Sequence, residues 1–136
     1  MSALITGFYA GLLTVILLGL SIRVVMLRRR HHVGIGTGGH SSLELAVRAQ
    51  ANFCEYVPIA LLLLLTLELT GSVAAPVLHV LGIMLVVGRV LHGFLGLNRS
   101  PGTSTGRFVG TLLTWLMMAG AALFVIGLAA GYWLAS

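Results

Sequence analysis

At 136 residues the chain has room for one domain. Only 8% of it is charged and 58% is hydrophobic, against roughly 25% charged in soluble domains, so it cannot cover a soluble surface and reads as an integral membrane protein. The net charge of +5 contains no lysine, and no aromatic-and-basic surface pattern accompanies the eight arginines, which argues against a nucleic-acid partner.

Residues 3–27 are the first apolar run, enough for a spanning helix at about 20 residues. A signal peptide carries its positive charges before the apolar stretch; here Arg28, Arg29 and Arg30 follow it, which predicts a retained helix. Gly7 and Gly11 form a small-xxx-small pair that lets another helix approach. Arg23, just inside the helix end, reads as an arginine snorkelling to the interface, with ligand contact as the alternative. Residues 28–42 read as a basic loop with His31, His32 and His40. Its glycine-rich run, 34–39, follows no strand and lacks the Gly-Lys-Ser/Thr ending of a phosphate loop. A flexible linker is the plain reading, and backbone amides closing on an anion are the alternative. The histidines lack the accompanying Cys or acidic cluster that would fix a metal geometry, so no metal is expected.

Helix two is expected over residues 42–69, opened by Ser41-Ser42-Leu43-Glu44 as a capping box. Its first half carries Arg48, Asn52 and Glu55 at i, i+4 and i+7, on one helical face. A charge inside a membrane helix costs roughly 2.5–3.5 kcal/mol and usually faces a bundle interior or wet cavity, so this stripe is the functional candidate. Cys54, the single cysteine, cannot form an internal disulfide and reads as a buried small residue. Pro58 removes the hydrogen bond to the Cys54 carbonyl and predicts a kink.

Helix three is expected over residues 77–97, with Pro76 at its first turn. It carries His79, Arg89 and His92, and Arg89 is expected to pair with Glu55 or Glu68, to line a helix interface, or to meet a ligand. After a loop containing Arg99 and Pro101, helix four is expected over residues 105–134. Gly106/Gly110 and Gly127/Gly131 are packing pairs there, and Tyr132-Trp133 are interface anchors. The chain is thus expected to be all-α: one four-span membrane domain over residues 1–136. Arginine is concentrated after helices one and three, so the positive-inside rule puts those loops in the cytoplasm and both termini outside.

The run Arg48-Ala49-Gln50-Ala51-Asn52, followed by Glu55-Tyr56-Val57-Pro58, resembles the helix-two signature of the membrane-associated proteins in eicosanoid and glutathione metabolism. It is most similar to the leukotriene C4 synthase and microsomal glutathione transferase members. The Gly-Gly before the helix and the run Glu55 to Ala60 also resemble a small bacterial branch. Four spans and the segment Gly88-Arg89-Val90-Leu91-His92 agree, so the resemblance covers nearly the whole chain.

That resemblance implies a four-helix bundle assembled as a homotrimer in a bacterial inner membrane, in contact with lipids. It implies glutathione as co-substrate, held between subunits near the cytoplasmic face by Arg48, Gln50, Asn52, Glu55 and Tyr56. Arg23, Arg28 and Arg89 are further candidate contacts. A helix-four arginine stabilises the thiolate in the family; Arg107 matches it, with Arg99 the runner-up. The expected activity is transfer of glutathione to, or peroxidase action on, lipophilic electrophiles. The family's helix-three tyrosines are absent; Phe94, Gly93 and Gly96 stand in that region. A non-catalytic trimer keeping the fold is therefore the second reading. A small four-helix exporter is the third, disfavoured because helix one has no acidic residue.

Overall fold

The computed structural model describes residues 3–97 and 104–136. Among them are four long helices and no strand: α1 (Leu4–His31), α2 (Ser41–Thr70), α3 (Ala75–Val90) and α4 (Thr105–Ala135). All four spans are long and apolar enough to cross a membrane, α3 together with its continuation to Phe94. The chain is therefore a multi-pass membrane protein by helix length and composition.

The arginines 28–30, expected in a loop, form the last turn of α1. Cations are favoured there by the carbonyl end of the helix dipole. The helix closes at His32, whose φ of 55° is left-handed. The His32 N–H donates to the Arg29 carbonyl and the Val33 N–H to the Arg28 carbonyl, satisfying groups that the helix end leaves open. With 28 residues, α1 is on the order of 42 Å long, so it outruns a hydrocarbon core of ~30 Å and carries these charges beyond it.

The expected capping box is not formed. His40 takes the extended cap conformation and Ser41 is already helical, so no side chain caps α2. The Glu44 N–H donates to the His40 carbonyl, and the Glu44 side chain is exposed. At its far end α2 stops at Gly71, where φ is 66° and a side chain would be strained. One turn earlier Glu68 reaches across to α1 and accepts from the Ile5 and Thr6 N–H groups at 2.9 and 2.7 Å. A carboxylate from a neighbouring helix thus caps the start of α1, where unpaired amides and the positive dipole end coincide. Cys54, expected to be buried, is exposed on α2.

Beyond Val90, α3 loosens into a π-helical segment, Leu91–Leu97. α4 opens conventionally, the Ser104 Oγ accepting from the Arg107 N–H at 3.3 Å. α2 and α3 each pack on all three other helices. The buried face of α2 (Ala49, Phe53, Val57, Ala60, Leu64 and Leu67) belongs to the main apolar core.

Two glycine contacts set the helix spacing. The Tyr9 ring lies where a side chain on Gly82 would be. A Cβ on Gly110 would sit 2.6 Å from the Gly88 carbonyl oxygen and 2.6 Å from the His92 nitrogen, so α3 and α4 cross backbone to backbone. A Cβ on Gly7, Gly11, Gly127 or Gly131 would meet nothing within 4 Å among the described residues, so those small-residue pairs make no close helix contact there. Around the bundle Phe8, Leu18, Ile59, Leu62, Leu123 and Ile126 are exposed, as suits a lipid-facing surface.

Candidate functional site

The polar side chains of the spans sort into two ends. At one end the Tyr9 hydroxyl lies 2.9 Å from His79 Nδ1 and donates to the His79 carbonyl at 3.1 Å, near the Glu68 cap. At the other end, α2 begins, α3 passes into its π-helical segment and α4 begins, and a cavity of about 310 Å³ opens between them. That is the low end of the range for small-molecule sites. Its wall contains Ser41, Glu44, Leu45, Arg48 and Asn52 from α2, His92 from the α3 continuation and Arg107 from α4.

The helix-two stripe divides. Arg48 and Glu55 face outward, 62% and 53% exposed, with Arg48 Nη1 4.0 Å from Glu55 Oε1. An exposed pair at that separation contributes little to stability, so Arg48 remains available to a ligand. Asn52 turns inward, where its Oδ1 accepts from Arg89 Nη1 at 2.8 Å.

Arg89 is the buried hub, 2% exposed. Its Nε and Nη2 donate to Thr114 Oγ1 at 3.1 and 2.7 Å, and Nη2 lies 3.5 Å from the Gly110 carbonyl oxygen. The guanidinium carbon sits 5.5 Å from the centre of the Tyr56 ring, a cation–π distance. The expected carboxylate partner, Glu55 or Glu68, is replaced by an amide, a hydroxyl, a carbonyl and an aromatic face. Five rigid donors suit such a set, and pairing with neutral groups leaves Arg89 holding α2, α3 and α4 together rather than lining the cavity.

Of the remaining sequence candidates, Gln50 donates to Ser21 Oγ at 2.8 Å and so ties α2 to α1. Tyr56 lies against Arg89. Arg28 donates from Nη1 to the Gly34 and Gly36 carbonyls, both at 3.0 Å, folding the glycine run back onto α1. The carbonyls of that run, rather than its amides, are thereby engaged. Arg23 lies in a separate trough on α1 with Gly19, Ile22, Met26 and Arg30. Arg99 lies outside the described residues. The structure thus brings Arg48, Asn52 and Arg107 to one cavity and leaves Gln50, Glu55, Tyr56, Arg23, Arg28 and Arg89 off its wall.

The cavity adds three polar residues that the motif does not contain: Ser41, Glu44 and His92. The signal for two of them was the stripe itself, since Ser41 and Glu44 continue the Arg48 face by i−7 and i−4. His92 has Nδ1 3.0 Å from Thr111 Oγ1, and its buried Nε2 has no partner among the described residues. Phe94, 38% exposed, lies near α1: a Cβ on Gly19 would be 3.6 Å from its Cζ.

A family model, that of the MAPEG family, matches residues 6–128. The inner membrane protein YecN of Escherichia coli strain K12 is 39% identical over 89 residues, which are 65% of this chain and 67% of that protein. The protein of the same name from Escherichia coli O6:H1 gives the same 39% over 89 residues. No solved structure matches.

Proposed function

The chain belongs to the MAPEG family, and from that premise we propose that it is a glutathione-dependent transferase or peroxidase acting on lipophilic electrophiles drawn from the bilayer. The observation that carries this reading is the cavity where Arg48, Asn52, Glu44, His92 and Arg107 meet at one end of the bundle. Glutathione presents two carboxylates, an ammonium and a thiol. Arginine binds carboxylates through charge-assisted, bidentate bonds. Glu44 and Glu55, four residues before and seven after Arg48 on the same helix face, suit the ammonium. Arg107 is the cation that favours the thiolate.

A homotrimer accompanies this reading. In the single chain Arg48, Cys54 and Glu55 form an outward polar patch on a spanning helix, and hydrocarbon is a costly neighbour for charges. A second copy packed there covers the patch and completes the walls of the cavity. The name of the Escherichia coli relative supports a bacterial inner membrane. Arginine placement supports cytoplasmic basic loops and external termini.

The test is purified protein with glutathione and a chromogenic electrophile, alongside calorimetry and native mass spectrometry from mild detergent. Saturable binding, turnover and a trimer are expected. Absence of glutathione affinity overturns the reading. The alternative, a trimer that binds without turnover, draws on Phe94: it packs toward α1, off the cavity wall, and offers no hydrogen bond. Binding without turnover selects that alternative.

A further inference from the structure

An apolar trough on α4, with Phe108, Leu112 and Trp115 in its wall, shares Arg107 with the polar cavity and so belongs to that site. Another trough, of about 470 Å³, lies on α1 and shares no residue with the cavity. Gly19, Ile22, Met26 and Leu27 are its apolar part, and Arg23 and Arg30 its charged part. Ile22 and Met26 are exposed. Arg23 and Arg30 stand two helical turns apart on one face. Among the described residues neither has a hydrogen bond or a carboxylate partner. Depth along the helix says what such arginines meet. Counted from Leu4, Arg23 lies on the order of 28 Å along α1, where a hydrocarbon core of ~30 Å ends. Arg30 lies about 10 Å further on, among the headgroups, and its side chain leans back toward the start of the helix.

We propose that this trough is a binding site for an anionic phospholipid. The phosphodiester lies between Arg23 and Arg30, and one acyl chain runs over Met26 and Ile22 to the notch at Gly19. Charge selects the occupant: two arginines and no carboxylate stand in the wall. Arginine suits phosphate oxygens because its planar fork donates two parallel N–H bonds. A zwitterionic headgroup brings an ammonium that the same arginines repel, so a lipid of net negative charge is preferred. A free phosphate would leave the apolar wall uncovered, whereas a lipid covers both parts. A Cβ on Gly19 would lie 3.6 Å from Phe94 Cζ, so the missing side chain leaves room for a chain beside that ring. Arg23 thus acquires a ligand of its own, away from the polar cavity. This site does not depend on the glutathione reading.

The test is native mass spectrometry of the full chain, released from nanodiscs of equal parts dioleoyl-phosphatidylglycerol and dioleoyl-phosphatidylcholine. Retained phosphatidylglycerol is expected to exceed phosphatidylcholine by about fivefold or more. Arg23→Gln and Arg30→Gln are each expected to cut the phosphatidylglycerol adduct by about fivefold. Arg29→Gln removes the same charge from the same helix end but lies off this trough. It is expected to change the adduct by less than about twofold. Gly19→Leu keeps every arginine, fills the apolar floor and is expected to displace the lipid. Equal retention of the two lipids overturns the proposal. An equal loss in Arg29→Gln overturns it too, and assigns the attraction to the basic helix end as a whole. The two-lipid comparison on the unsubstituted protein carries the test even where an arginine variant does not fold. None of these readouts involves glutathione, so their failure leaves the transferase reading intact.

Discussion

Asn52 is oriented by Arg89: the guanidinium donates from Nη1 to Asn52 Oδ1 at 2.8 Å, so a cation on α3 sets the amide of the α2 stripe. With its oxygen taken, Asn52 offers the cavity the two N–H groups of Nδ2, which suit an anionic ligand. The buried hub and the exposed site are therefore one device. Arg89→Lys keeps the charge but cannot reach Asn52, Thr114 and Gly110 together. It is expected to cost about 2 kcal/mol, the scale of one hydrogen bond to a charged group, and to weaken glutathione binding although Lys touches no ligand. Thermal unfolding in detergent and calorimetry measure both; an unchanged melting temperature and affinity would remove Arg89 from this role.

The α3–α4 crossing is expected to be intolerant of a single methyl group. In Gly110→Ala the new Cβ meets the Gly88 carbonyl oxygen and the His92 nitrogen, both backbone atoms that no rotamer change can move. A loss of about 1–3 kcal/mol is expected, the usual range for overpacking. Gly34→Ala is the control, since nothing lies within 4 Å of that position and its φ is not left-handed. The control is expected to stay within about 0.5 kcal/mol of the parent. Equal effects in denaturation would show that the crossing is not tight.

Glu68 is expected to hold the start of α1. Glu68→Ala leaves the Ile5 and Thr6 N–H groups without their acceptor, at about 1–3 kcal/mol where such a group stays buried. Glu68→Gln keeps one acceptor oxygen and should lose less. Hydrogen exchange at Ile5 and Thr6 reads this locally. Protection that is the same in all three proteins would mean that the cap holds nothing.

The spans were legible because a run of apolar residues longer than the bilayer core has few alternatives to a helix. What each span faces was not, because helices apolar on all sides carry no periodic signal for rotation. Cys54 shows this: nothing in its neighbours tells the outer side of α2 from the inner, and it is exposed. The Ser41–Glu44 pattern matched a capping box, yet the cap conformation fell one residue earlier, on His40. Arg89 was legible as a cation in need of partners. That the partners are Asn52, Thr114 and Gly110 depends on how three helices cross, and the crossing depends on Gly88 and Gly110. Two members of the stripe, Arg48 and Asn52, line the cavity at the start of α2. His92 was legible as a neighbour of Arg89 and as the end of the Gly88–His92 segment, but neither signal placed it on the cavity wall.

Orientation has its own test. Reporters fused at Ser136 are expected to report a non-cytoplasmic position, and reporters inserted at 34–39 a cytoplasmic one, following the arginines after α1 and α3. The reverse pattern would move the cavity to the other face of the membrane and separate it from cytoplasmic glutathione.

Thiol activation separates binding from chemistry, and two arginines of one cavity are expected to fail differently. A free thiol with a pKa near 8.5 is only a few per cent ionised at neutral pH, so lowering it by two units is worth about 2.7 kcal/mol. If Arg107 stands beside the sulfur, Arg107→Ala raises the pKa of bound glutathione and leaves affinity less affected, because other groups hold the carboxylates. Arg48 lines the same cavity from α2, outside the apolar trough that Arg107 shares. Arg48→Ala is therefore expected to lower affinity and leave the pKa of whatever still binds. The sign is fixed by charge: removing a cation next to an anion always moves the thiol toward its protonated form. Thiolate absorbance across pH, with calorimetric affinity, distinguishes the two variants. An Arg107→Ala protein that keeps its thiolate, beside an Arg99→Ala protein that loses it, would transfer the role to Arg99. Loss of affinity alone in Arg107→Ala would make that residue a carboxylate ligand rather than the group that activates the thiol.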